Sequence, residues 1–486
     1  DGSGERVPAL DEGNVRHLLR RTEVVDRPQR VAALLALPSL EAAVDDVMNV
    51  VADPPTATLD GPEGSEEWRR GIRLSDHWLG RMASTTRPFA ERMAFFWHGH
   101  LATSIDKVGS ADLMRDQIDL FRRRGLGAAG SSVTVTELVS NASLQLALLR
   151  YLDNHQNFAS SPNQNFAREL MELFLLGVGN YTEADVEAST AAWTGHTHVP
   201  TNRNAYFFDQ SAHEPTSQVF LGRTINATRP PQQAGIETIE VILGTGPLGS
   251  GIVPMTAERN GGRETKAVAA EFLTFKLWQE FGEATTGSVP AGVGSAMTGA
   301  LLGTGFEIRP WVRAMLLHDD FYSATAQTGL VRQPVEFMVA LLVATGLDTR
   351  MDHIPNWLLA SVGQQPLYPP NVSGWRPNGY WVNAGSMSTR HGIVEHVVQK
   401  LRDATWYRSD AHLRFGPGPG DVITRSEVEG LPAATLVDRF AALTGVRPTA
   451  ATRAGILEHL GDATVDPAMR VDALSLLLSA PSMHIA

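Results

Sequence analysis

The sequence contains no cysteine. Disulfides, thiolate metal sites and cysteine nucleophiles are therefore excluded. The absence does not indicate a compartment, because an exported chain with enough core needs no covalent staples. Lysine is scarce: only Lys107, Lys266, Lys276 and Lys400 stand among 41 basic residues. Positive charge is also in deficit, with 53 acidic residues giving a formal net charge of −12. An acidic chain lacks the electrostatic footprint of a general nucleic-acid binder. No apolar run approaches the roughly 20 residues that span a bilayer. There is no Walker A loop, no G-x-S-x-G elbow and no H-E-x-x-H. One G-x-G-x-x-G occurs at Gly244–Gly249. No βαβ pattern surrounds it, so it reads as a turn.

What is present is helical periodicity. The 486 residues are 43% apolar and 19% charged, an ordinary globular balance that excludes wholesale disorder. Apolar residues recur at i, i+3 and i+4 over 29–50 (broken at Pro38), 87–107, 136–153, 163–178, 182–194, 264–282, 310–318, 332–346 and 391–404. Alternating patterns are scarce. The extended candidates are 205–208 and 219–221, a small hairpin in the polar stretch 195–230. The expected fold is mainly α: a multi-helix globular array with long ordered loops and at most a small β-hairpin. A main helical domain is expected over 1–414, with a Pro/Gly break at 415–420 and a helical extension over 421–486 docked on the main body. Helices are expected near 432–445, 448–461 and 466–480. The loops 200–232 and 363–390 are long, and long ordered loops are enriched in function. The chain opens on Asp1-Gly2-Ser3-Gly4, which reads as a processed start from which any targeting segment has been removed.

Four segments could carry chemistry. Phe95-Phe96-Trp97-His98-Gly99-His100 places two imidazoles on opposite sides of a helix, or on one side of an extended segment. They are either metal or catalytic groups, or hydrogen-bonded histidines of a buried aromatic helix. In the segment 163–174, Phe166, Leu170, Leu173 and Phe174 form an apolar face. Asn165, Glu169 and Glu172 lie beside it in a strip about 60° wide. Two carboxylates at i and i+3 can share a cation or a proton. Alternatively, Arg168 pairs with Glu172 on a solvated face. Trp193-Thr194-Gly195-His196-Thr197-His198 closes a helix, and His213-Glu214 follows in a polar loop. The stretch 365–375, with Tyr380, Trp381, Asn383 and Arg390, suits either a pocket wall or a rigid lid.

These segments resemble a bacterial family catalogued as domain of unknown function 1800. The resemblance rests on Phe-Trp-His-x-His at 96–100, Tyr-Leu-Asp-Asn at 151–154, Asn-x-Asn-Phe-Ala-Arg-Glu-Leu-Met-Glu-Leu-Phe at 163–174 and Gly-Asn-Tyr-Thr-Glu-x-Asp-Val at 179–186. It continues through Lys-Leu-Trp at 276–278, Gln-Pro-Val-Glu at 333–336, the Pro-Pro-Asn-Val-x-Gly-Trp and Trp-Val-Asn pieces, and Leu-Leu-Ser-Ala-Pro-Ser at 477–482. It implies one helical, usually exported unit and an alkaline-phosphatase-like (sulfatase-like) partner encoded nearby. It supplies no agreed reaction. The chain departs from the family pattern at Gln164, His196 and Gln218, changes that either inactivate or re-tune a site.

Two expectations follow. In one, the chain has a binding or assembly role, and the aromatic loop is a partner surface. In the other, it is a metal-dependent hydrolase or oxidoreductase. In that case His98, His100, Glu169 and His213 hold a divalent transition metal such as Zn, Fe or Mn. Glu169, Glu172 and His98 do the chemistry, and Asn165, Trp375, Trp381, Asn383 and Arg390 hold the substrate. His98 or His100 is expected to reach the Glu169/Glu172 edge, with His213 joining from its loop.

Overall fold

The structure is a computed structural model that describes residues 8–50, 54–59, 61, 66–251, 262–347, 356–402, 425–461 and 470–485. The break at 415–420, and with it the boundary between the two expected helical units, lies outside the described residues. The chain is mainly α, with 62% of it helical. The periodic segments form helices where the pattern places them. Pro28–Leu35 and Leu40–Val47 flank the break at Pro38, Thr265–Phe281 fills 264–282, and Ala433–Thr444, Ala450–Leu460 and Asp472–Leu478 follow late in the chain. Strands form two separate hairpins rather than one. β1 (His196–Val199) pairs antiparallel with β2 (Asn202–Phe208), and β3 (Gln218–Phe220) with β4 (Arg223–Ile225). The segments 205–208 and 219–221 thus each find a local partner across a short turn and do not pair with one another. The Gly244–Gly249 motif is a helix ending: Gly244 takes the left-handed conformation (φ 64°) that closes Ala234–Leu243.

The helix Pro334–Thr345 organises the interior. Its sequence, Val-Glu-Phe-Met-Val-Ala-Leu-Leu-Val-Ala, is apolar all round beyond Glu336 in its first turn, and every one of its residues is buried. A helix of that kind can only sit in a core. It packs against Glu67–Ser84 on one side and Ala433–Thr444 on another. Ala384–Arg402 and Ala433–Thr444 both pack on Asp472–Leu478. One continuous apolar core runs from Val15 to Met483. The start of the central helix is therefore held by neighbours on all sides, and the cleft opens there.

Candidate functional site

The helix Phe89–His100 runs through the core and ends in the His-x-His pair. Helical geometry persists to His100, so the two imidazoles diverge. His98 is fully buried between Trp78 and Trp375, with ring centroids 5.5 Å away on each side. Its Nε2 accepts from the Leu367 N–H at 3.2 Å, and Nδ1 has no partner. His100 stacks on Phe96 and donates from Nε2 to the Phe174 carbonyl at 2.8 Å. A carbonyl can only accept, so the proton sits on Nε2 and the Nδ1 lone pair is free. Burial lowers both histidines to about 3, with Lys276 contributing at His100. Both are neutral at pH 7.

Phe174 belongs to a segment that departs from α geometry. Asn165–Glu169 is α-helical, and Leu170–Leu175 continues as a π-helix. The wider turn buries Met171 and Leu175 along with Phe166, Leu170 and Phe174, and leaves Leu173 only partly buried. The polar strip faces elsewhere. Glu172 accepts from the Tyr181 hydroxyl at 2.5 Å, and Arg168 forks onto Glu183 (2.9 and 2.8 Å) rather than onto Glu172. Dehydration, then the Glu172 charge, raises the Glu169 carboxyl, while Arg168 opposes. Asn165 donates to the Leu152 carbonyl. Neither His98 nor His100 makes a hydrogen bond or ion pair with Glu169 or Glu172. His213 lies apart from both, buried against Thr194 (3.0 and 3.2 Å) and Asn226 (3.3 Å). His196 bonds the Tyr206 hydroxyl beside the Trp193 and Phe208 rings. Among the described residues no three His, Asp or Glu side chains group to hold a metal ion. The set His98, His100, Glu169 and His213 is thus not assembled. The reason is geometric: unbroken helix separates the two histidines, and Glu172 turns toward Tyr181.

A different set does converge. A cavity of about 730 Å³ is lined by Phe95, Phe96, Gly99, His100, Leu173, Lys276, Gln279, Glu280, Gln333, Gly363, Gln364, 370–377, Tyr380 and Trp381. Its back wall is the helix Thr265–Phe281, which presents Lys276 and Glu280 one turn apart. Lys276 has no hydrogen bond or ion pair. Its ammonium lies 5.3 Å from the Phe272 ring centroid, and burial lowers its pKa. Glu280 accepts both of its hydrogen bonds from Gln333 Nε2 (2.9 and 2.8 Å) and faces Arg92 at 3.6 Å. Its side chain keeps 18% exposure. Dehydration nevertheless outweighs Arg92 and, with the nearby Glu336 charge, pushes the carboxyl up to about 7. Gln333 Oε1 accepts from Gln364 Nε2 at 2.5 Å, and Gln364 Oε1 accepts from the Val335 N–H at 3.0 Å. Glu336 takes the Gln333 N–H at 2.7 Å and pairs with Arg92 at 2.6 Å. The floor is thus a continuous polar network built on the start of the central helix.

The roof is the loop 363–383, shorter than the 363–390 read from the sequence. The next helix starts early, at Ala384, capped by Asn383 Oδ1 on the Ser386 N–H (2.9 Å). Gly385, Ser386 and Ser388 disguise that start as loop. The roof is clamped to the His98 helix. Leu367 has φ 75°, held by its N–H on His98 and its carbonyl on the Ile105 N–H (3.0 Å). Trp375 stacks on Phe95 (5.3 Å, 16°). Trp375 and Trp381 line the cavity. Asn383 and Arg390 are not among the lining residues. Arg390 is buried behind the floor, donating to the Arg332 carbonyl (2.8 Å) and lying over the Phe337 ring. Composition and spacing did not single out Lys276, Glu280, Gln333 or Gln364. For Lys276 and Gln333 the signal lay in the Lys-Leu-Trp and Gln-Pro-Val-Glu pieces of the resemblance; Glu280 and Gln364 lie outside both.

Fold and cleft together define a mainly helical protein with a loop-roofed polar cavity at the head of its central helix. The chain belongs to the family described as protein of unknown function (DUF1800), which it matches over residues 15–485. No curated protein and no solved structure matches it. Among the described residues no helix is long and apolar enough to cross a membrane.

Proposed function

We propose that the protein binds a polar organic ligand in this cleft, beneath the 363–383 roof. One observation carries the reading. Segments far apart in sequence, each bearing family resemblance, meet at a single cavity: Phe96, Gly99 and His100, Lys276, Gln333, and Pro370 to Trp375. Its volume lies within the roughly 300–1,000 Å³ usual for small-molecule sites, and aromatic walls with a few fixed polar groups are the usual lining. Among the described residues the Lys276 ammonium has no hydrogen-bond or ion-pair partner and the His100 Nδ1 lone pair no donor, and a ligand supplies both. Exported location and an alkaline-phosphatase-like partner, both implied by the resemblance, belong to the same proposal.

The test is ligand-observed NMR on a pool of polar metabolites, with wild type and Leu173→Trp. The larger ring narrows the cavity from a partly buried position. Compounds should bind wild type and be released by the variant at unchanged thermal stability. Equal retention by both would place binding outside the cleft.

A second reading, proton-transfer catalysis without a metal, is favoured by Glu280. A carboxyl held near 7 in a cleft that a neutral imidazole also lines is matched to general acid–base work. It predicts that turnover of any bound compound is lost in Glu280→Gln while binding is kept.

A further inference from the structure

We infer that the cleft selects an anionic ligand: a carboxylate, or an anion of similar size, carried on a small ring. The inference rests on reading the cleft as a ligand site and adds the ligand's chemical class.

The charge inventory of the cavity is one-sided. Lys276 is one of four lysines in a chain of net charge −12, and it stands in the cavity wall without an ion pair. Arg376 stands at the rim, also without an ion pair, its guanidinium 5.6 Å from the Tyr380 ring centroid. In so acidic a protein, carboxylates to neutralise two cations are abundant elsewhere, and none has been placed here. Glu280 is the only acid among the lining residues, and its oxygens are occupied by Gln333 and faced by Arg92. The remaining polar lining is neutral amide and hydroxyl.

The ground behind the floor carries the same sign. Arg21, Arg92 and Arg332 are each at most 2% exposed, whereas the carboxylates facing them are Glu336 and Glu280. Asp26, which also acts on Arg332, is engaged by Arg16 at 3.1 Å. Arg21 Nε and Nη1 and Arg332 Nη2 are buried without hydrogen-bond partners. Low-dielectric walls carry the field of this uncompensated charge into the cavity with little screening. An anion docking on Lys276 would gain from both the direct contact and the background. A neutral isostere would gain from neither, and a cation would be repelled. The ring follows from the roof, where the partly buried Trp375 and the exposed Tyr380 offer π surface beside the cationic groups.

Fluorine NMR titration with para-fluorobenzoate and para-fluorobenzamide tests this, because the two share a ring and differ in charge. Wild type should bind the benzoate at least about tenfold more tightly, a difference of about 1.4 kcal/mol. Lys276→Gln should erase the preference, Lys276→Arg should keep most of it, and Arg376→Gln, at an exposed position, should reduce it. If the benzamide binds as well as the benzoate, or Lys276→Gln and Arg376→Gln both leave the preference intact, the anion inference is overturned and the cleft remains a ligand site. If neither probe binds wild type at millimolar concentration, the ligand-site reading falls for ring compounds and takes the inference with it.

Discussion

Lys276 and Glu280 stand one helical turn apart on the same face of Thr265–Phe281, both lining the cavity, and no ion pair joins them. Each has instead been left in a poorly hydrated position: the lysine with only a ring for company, the carboxyl drawn to Gln333 and Arg92. Glu280 is therefore the group whose ionisation should be visible in stability. Its carboxyl is raised from 4.5 to about 7 in the folded protein. The folded state thus holds this proton more tightly than the unfolded chain does. The resulting stabilisation is full below about pH 4.5 and is lost as pH rises through 7. Its size is on the order of 3 kcal/mol at most. Glu280→Gln keeps an acceptor for Gln333 and removes the titration. Denaturant midpoints at pH 5 and pH 8 should fall for wild type and stay nearly level, from this source, for the variant. Parallel behaviour would mean that Glu280 is ordinarily hydrated.

Gly374 fixes how closely the roof can approach the His98 helix. Its φ is +72°, and a Cβ there would lie 2.1 Å from the Gly99 carbonyl oxygen. Both the backbone conformation and the contact exclude a side chain. Gly374→Ala should cost at least about 2 kcal/mol and loosen the roof. Gly379, in the same loop, has no positive φ and open space where a Cβ would stand. Gly379→Ala should be nearly silent. Chemical denaturation of the pair, read by tryptophan fluorescence, checks both. Similar stability for the two variants would mean that the roof is not clamped at Gly374.

The helices were legible because burial on one face imposes a period, as in Leu40–Val47 and Ile308–Leu316, or because burial on every face leaves an unbroken apolar run, as in Pro334–Thr345. The aromatic roof was legible because tryptophans in an irregular loop need a surface to cover. The carboxylate strip does not meet the histidines for a local reason: the 100° step of an α-helix does not hold through residues 170–175, where the chain adopts the wider π turn and Glu172 meets Tyr181. Lys276 and Glu280 were illegible from pattern alone. A Lys and a Glu at i and i+4 read as a solvated stripe, and only the tertiary approach of the roof dehydrates them. Arg390 shows the converse: a lone Arg after an aromatic loop reads as a ligand contact, yet the fold spends it on an interior carbonyl.

That placement of Arg390 is testable. It donates to the Arg332 carbonyl and approaches His484 Nδ1 at 3.3 Å, tying Ala384–Arg402 to the segment near His484. Arg390→Met preserves much of the apolar stem and deletes the donors. Burial, and after it the neighbouring Arg332 charge, lowers Arg390 to about 10, so its removal relieves both a desolvation cost and repulsion. The net loss should be about 1–3 kcal/mol, from the carbonyl left unpaired. Thermal unfolding measures it. A variant of unchanged stability that no longer binds cleft ligands would return Arg390 to the binding residues.

The two roof tryptophans should differ in what they contribute. Trp381 is 1% exposed, whereas Trp375 is only partly buried. Removing a buried Trp forfeits its transfer free energy and leaves a cavity, so Trp381→Ala should cost roughly 3–5 kcal/mol. Trp375→Ala should cost less, because solvent already reaches part of the ring and little void is created. Much of what Trp375 contributes is its stack on Phe95, and such pairs contribute about 0.5–1.5 kcal/mol beyond area. Trp375→Phe should therefore recover most of the loss, while Trp381→Phe, which leaves a void at a fully buried site, should recover less. Urea denaturation of the four single variants separates these cases. If both alanine variants lose little, the loop is a surface feature that does not seal the cleft. If Trp375→Ala is the costlier, the clamp at Phe95 and His98, rather than the burial of Trp381, is what holds the roof closed.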